Sequence, residues 1–199
     1  MNIISNCCLG GFVYKDVLKQ QFANPFIWAW LNQEDVVYLV QNFDKINFKN
    51  YELSTYNNLP LNDEVCFQMI IDDKIKIIYS HYQFIKNKDT LEIDRKRNMV
   101  YYNRIWEYVV AKYNERLERM CSENKSPVFL ICDNREGCGT FSKTQIEILS
   151  KAKYKVMFFS RYDYSQFNNE NFLFIQHDGN DIIQIKEKYK NEILDFISK

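Results

Sequence analysis

The chain has 199 residues, with Lys plus Arg equal to Asp plus Glu at 26 each, and its side chains are 46% apolar and 16% aromatic. That length and apolar content suit one folded domain and exclude disorder, and the balanced charge removes the global field that would draw nucleic acid or an anionic membrane. The start lacks a secretory signal and no run approaches the ~18 apolar residues of a membrane span, so six cysteines point to reduced thiols in a cytoplasm.

A short apolar run, Asn2 to Ser5, stops at Asn6-Cys7-Cys8-Leu9-Gly10-Gly11 and hands over to a helical pattern from Phe12 that ends near Phe22, before Asn24-Pro25. Phe26 to Leu31 is strongly apolar and lines either the core or the aromatic wall of a pocket. Asn32 reads as the N-cap of a helix ending near Phe43, and Ile46 to Leu53 alternates like a strand before a turn at Asn57 to Pro60. Val65 to Ile71 and Lys74 to Tyr79 flank Asp72-Asp73 at hairpin spacing, which puts His81 at the far end of the second strand.

Residues 83–97 are polar and read as a loop or lid, followed by the longest helix, from about Asn98 to Cys121. Pro127 opens the all-apolar strand Val128 to Cys132, and the connector Asp133 to Gly139 leads to a helix capped by Thr140 or Ser142 and running to Leu149. With Tyr154 to Phe159 as the next strand this is a βαβ unit, which makes part of the sheet parallel. Phe172 to Ile175 adds a strand, and Ile182 to Ile197 closes the chain as an amphipathic helix. The expected fold is α/β: a single domain over residues 1–199 with a mixed, partly parallel sheet flanked by helices.

Chemistry concentrates at the glycine-bearing connectors. Asn6, Gly10 and Gly11 form a strand-to-helix junction where backbone approaches a ligand closely, and a helix start favours a thiolate, so Cys8 is the candidate nucleophile, with Cys7 its competitor. His81 is the candidate base ahead of His177, and Asp133, just after a buried strand, is the candidate orienting carboxylate. The bland alternatives are inert buried thiols, a structural histidine and a turn aspartate. Lys112, Arg116 and Arg119 recur at one-turn spacing on the long helix, which suits an anion clamp in which Arg116 and Arg119 bind substrate; Glu115 and Glu118 interleave, which equally suits a solvated face of weak ion pairs. Cysteine spacing fits no zinc site, and phosphate-loop, dinucleotide and serine-elbow motifs are absent, so neither a metal nor a resident cofactor is called for.

Ile3 to Gly11 followed by Tyr14, Pro25-Phe26, Ser80-His81-Tyr82, Tyr113-x-x-Arg116-x-x-Arg119-Met120 and Arg135-Glu136-Gly137-Cys138 together resemble a bacterial family, the domain of unknown function 1919, often labelled an exopolysaccharide biosynthesis protein. The likeness runs to about Phe159. The family's cysteine falls on Cys8, with Cys7 replacing an asparagine; Tyr113 stands where the family has Trp, and Asn134 where it has Asp. The resemblance implies a place in surface-polysaccharide production. The expected activity is a cysteine-dependent acyltransferase or acyl hydrolase acting on a saccharide, with acyl-CoA as donor and polysaccharide-assembly enzymes as partners. The alternative is a non-catalytic saccharide or nucleotide-sugar binding partner of a glycosyltransferase.

Overall fold

The computed structural model describes residues 2–20, 24–26, 29–56, 64–83, 95–122, 126–133, 140–177 and 182–198. The turn at Asn57 to Pro60, residues 84–94 of the expected loop and residues 134–139 of the second connector lie outside the described residues.

β1 (Asn2–Ser5) leads into α1 (Leu9–Phe12), which continues as a π-helical turn over Val13–Val17. The helix therefore starts at Leu9, ahead of the expected Phe12, and takes both glycines inside it. A Cβ on Gly10 would lie 3.1 Å from the Cβ of Ser5, so the missing side chain is what lets the helix sit against the strand. This packing overrides the low helix propensity of a Gly-Gly pair.

β2 (Ala29–Trp30) is followed by α2 (Gln33–Asn42), whose expected cap is in place: the Asn32 side chain accepts the Asp35 N–H at 2.8 Å. β3 (Tyr51–Tyr56) begins later than the alternation from Ile46 suggests. β4 (Glu64–Ile71) and β5 (Ile75–Gln83) form the expected hairpin, with Asp72 and Asp73 both at positive φ, 53° and 56°, as a mirror-image turn demands. α3 (Arg95–Ser122) is the long helix, and β6 (Pro127–Cys132), α4 (Lys143–Ser150) and β7 (Lys155–Ser160) form the βαβ unit. β8 (Phe172–Gln176), α5 (Ile182–Lys188) and α6 (Lys190–Ser198) end the chain, the expected single closing helix being split at Tyr189.

The fold is α/β, with its parallel and antiparallel strands sorted into two sheets. The first, in the order β1-β6-β7-β8, is parallel throughout; the second, β2-β5-β4-β3, is antiparallel throughout. Alternation along the parallel strands sends Ile4, Phe129, Ile131, Val156 and Phe158 into one core with α2, α4 and the antiparallel sheet. Their neighbours Ile3, Val128, Leu130, Met157 and Phe159 enter a second core with α1, α5 and α6. A sheet covered on both faces explains why these strands read as unbroken apolar runs.

Side chains finish what the edge strand β1 leaves undone. The Ile3 N–H donates to the Tyr14 hydroxyl at 2.9 Å, and the Ile3 carbonyl accepts from the Asn24 amide at 2.7 Å, so the outward peptide groups of Ile3 are satisfied by side chains. At its C-terminal end β1 leaves the sheet after Ser5, and the Asn6 amide takes over as a surrogate peptide group. It donates to the Cys132 carbonyl at 2.8 Å and accepts the Cys132 N–H at 2.9 Å.

One buried carboxylate runs against this economy. Asp35 is buried, and its Oδ2 has no hydrogen-bond partner among the described residues. Burial pushes its pKa up to about 6, opposed by the Lys76 backbone N–H and the Lys76 charge and reinforced by Glu34. The folded state then holds this proton more tightly than the unfolded chain, so stability falls as pH rises from the ordinary carboxyl range through about 6 and the full cost persists above that. Asp35→Asn is expected to stabilise the protein at pH 7 by about 1–2 kcal/mol and to change it little at pH 4. Urea unfolding at the two pH values checks this; equal effects at both would contradict it.

Candidate functional site

The connectors expected to carry chemistry do meet at one edge of the parallel sheet, where ligands bind in open α/β folds. Asn6, Cys7 and Cys8 follow β1, Asp133 follows β6, Ser160 ends β7 and His177 follows β8. Most of these groups hold the edge together. Asp133 accepts the Phe141 N–H at 2.8 Å on one carboxylate oxygen and the Ser160 hydroxyl at 2.7 Å on the other, which ties the loop after β6 to the start of α4 and the end of β7. Asn6 is committed to Cys132, and the space beside Gly10 is filled by Ser5.

The two adjacent thiols differ. Cys7 is fully buried, with its Sγ 3.5 Å from the Ser5 hydroxyl, whereas Cys8, at the helix start, keeps 9% of its surface exposed. Of the other described cysteines, Cys132 is buried and Cys121 is exposed. His81 lies on β5 in the other sheet. Trp30 of β2 pairs with Ile78, and the next residue, Leu31, donates its N–H to the Asn6 carbonyl at 3.3 Å. His81 is three residues past Ile78, about 10 Å along the strand at the usual rise. His177 is the histidine on the same sheet edge as Asp133 and Ser160: it is buried, its N–H donates to the Ser160 carbonyl at 2.9 Å, and its ring meets Tyr189 edge-on. The signal for it was its place directly after an apolar strand.

The anion-clamp residues fare differently. α3 buries Tyr113, Leu117 and Met120, and the Tyr113 hydroxyl donates to the Phe48 carbonyl at 3.1 Å. This fixes the rotation of the helix and turns the row Lys112, Glu115, Arg116 and Arg119 toward a pocket of about 750 Å³. Lys15 and Lys19 line the same pocket. They come from the π-helical turn and its end, where Lys19 takes a left-handed conformation with φ 54° and the Gln20 N–H bonds back to the Tyr14 carbonyl at 3.0 Å. Sequence spacing found the α3 row; Lys15 and Lys19 join it only through tertiary packing.

Among the described residues the pocket wall carries five cations and one carboxylate. Glu115 accepts from Lys112 at 3.0 Å and from the Arg119 guanidinium, and these two cations hold its carboxyl below the usual range. Lys15, Lys19 and Arg116 form no ion pair among the described residues. Beside them, Asp16 is engaged by Lys186 of α5 at 2.8 Å. Tyr108, 53% exposed, stands at the same pocket with the Lys112 ammonium 5.8 Å from its ring centroid. A volume in the range of small-molecule sites, with convergent cations and an aromatic face, is an arrangement for a small anion bearing a ring.

Architecture and pocket together define an α/β protein with a doubly covered parallel sheet, an inserted antiparallel sheet and a basic cleft. The chain belongs to the family described as domain of unknown function (DUF1919), whose model matches residues 1–109. The match runs from β1 into α3 and takes in Lys15, Lys19 and Tyr108; Lys112, Glu115, Arg116 and Arg119 follow it. No curated protein matches the chain. No helix among the described residues is long and apolar enough to cross a membrane.

Proposed function

We propose that this protein binds a phosphate-bearing saccharide in the cleft between the end of its first helix and α3, as a binding partner in surface-polysaccharide assembly. The observation that carries this reading is the charge of the pocket wall: five cations, three of them without an ion pair among the described residues, against one carboxylate. Phosphate esters are the activated forms of sugars, and their anionic oxygens match guanidinium and ammonium donors. Tyr108 supplies an apolar face for the ring. Thermal denaturation with increasing hexose 1-phosphate tests it: a ligand that binds only the folded state raises the melting temperature with concentration. A rise with the ester and none with the neutral hexose is the expected result; no rise with either defeats the reading.

Acyl transfer through Cys8 is the second reading, favoured by one observation. Cys8 keeps some exposure at the start of the helix whose far end builds the pocket, with Lys15 seven residues on, roughly 10 Å away at helical rise. Its thiolate would attack the carbonyl of an acyl-CoA, expelling the coenzyme thiol, and a sugar hydroxyl would then displace Cys8 from the thioester, with His81 as the base and Asp133 as its orienting group. Native-state alkylation by iodoacetamide separates the readings. Exposure alone orders the four cysteines whose burial is described, with Cys121 fastest, Cys8 slow, and Cys7 and Cys132 protected. Cys8 reacting ahead of exposed Cys121 would demand an activated thiolate, and that order of exposure, if observed, removes the support for acyl transfer.

A further inference from the structure

Among the described residues, the one carboxylate of the pocket wall, Glu115, divides its cations into two sets. Arg116, Lys15 and Lys19 are open to an incoming anion, while Lys112 and Arg119 are already bridged by Glu115, one turn away on either side of it along α3. A carboxylate held between an ammonium and a guanidinium occupies the place an anionic oxygen of a ligand would take. We infer that Glu115 limits the pocket to ligands with a single phosphate group, so that the ligand is a phosphate monoester of a saccharide rather than a nucleotide diphosphate sugar. This rests on the cleft being an anion site, as proposed above.

A first phosphate meets the open trio without breaking either ion pair of Glu115. A second phosphate, joined to the first by one bridging oxygen, has Lys112 and Arg119 left to meet among the described cations of the wall, and reaching them places its charge against the Glu115 carboxylate while breaking both ion pairs. The pairs themselves are weak, being half-exposed contacts on a helix surface. The repulsion between like charges at such separations is the larger effect. A sugar in place of the second phosphate meets no such penalty: its hydroxyls donate to the remaining lone pairs of Glu115, and its apolar face lies on Tyr108.

The test compares inorganic phosphate with pyrophosphate by calorimetric titration at constant ionic strength, on the wild type, on Glu115→Gln and on Glu118→Gln. Glu118 lies on the same helix but lines a different pocket, so it controls for a change in overall charge. Glu115→Gln keeps the size of the side chain and releases Lys112 and Arg119. Expected is a gain of about tenfold in pyrophosphate affinity, with phosphate changed less than about threefold and neither ratio moved by Glu118→Gln. A pyrophosphate-to-phosphate ratio unchanged in Glu115→Gln, or raised equally by Glu118→Gln, overturns the inference while leaving the anion site standing. Absence of binding by both anions to every form overturns the anion site and this inference with it.

Discussion

Asn6→Ala is expected to destabilise the protein by about 3 kcal/mol, because it removes the side-chain hydrogen bonds to both the N–H and the carbonyl of Cys132 at a buried strand end. The effect should exceed that of any single cation in the cleft, since a solvated charge loses little when its partner goes. Asn6→Asp separates the two halves of the interaction. A carboxylate still accepts the Cys132 N–H but faces the Cys132 carbonyl with a second acceptor, and protonation restores a donor, so this variant should recover part of its loss as the pH falls. Denaturant unfolding at neutral and acidic pH gives both numbers. A cost for Asn6→Ala below about 1 kcal/mol would mean that the strand end is satisfied some other way.

Arg116→Ala is expected to weaken hexose 1-phosphate binding by about 10–100-fold, the range for losing one charge-assisted hydrogen-bonding group. Its fold should be unaffected, because Arg116 makes no ion pair among the described residues and the buried face of α3 is carried by Tyr113, Leu117 and Met120. Lys19→Gly offers a sharper contrast. Lys19 sits at φ 54°, a conformation that costs a residue with a Cβ roughly 1 kcal/mol and glycine almost nothing. Glycine there should raise stability by up to about 1 kcal/mol while lowering affinity for the ester several-fold. Stability and binding moving in opposite directions would identify a strained residue retained for its charge. A loss of both would assign Lys19 to the fold alone.

Much of the fold was legible because burial imposes itself on composition. Val128 to Cys132 and Tyr154 to Phe159 read as doubly covered strands because both faces of the parallel sheet are packed, and the capping residues Asn32 and Ser142 announced α2 and α4. The separation into two sheets was hidden, since strand patterns record which face is buried and leave partners unspecified. The early start of α1 was hidden because Gly10 is there for the approach to Ser5, a tertiary contact. Ile46 and Phe48 alternate and are buried as strand residues would be, yet they precede β3 and belong to the irregular segment and turn that lead into it.

The candidate site divides in the same way. The row on α3 followed from helical spacing, as a single element carries it. Lys15 and Lys19 could not be assigned to it, because the wall they form depends on how the first helix docks. Cys8 and Asp133 were expected at one sheet edge and lie there, but the carboxylate oxygens of Asp133 accept from Phe141 and Ser160, and neither of these bonds comes from a histidine. Spacing along the chain says which residues follow strands; it carries no record of which hydrogen bonds the loops between them need.

The most direct test of the anion site is the calorimetric titration of hexose 1-phosphate into the wild-type protein at low and high salt. A cleft of cations open to solvent should bind the ester at low ionic strength and lose affinity steeply as the Debye length contracts from about 30 Å at 0.01 M to about 8 Å at 0.15 M. Binding that is absent at low salt, or that is indifferent to salt, would contradict the account.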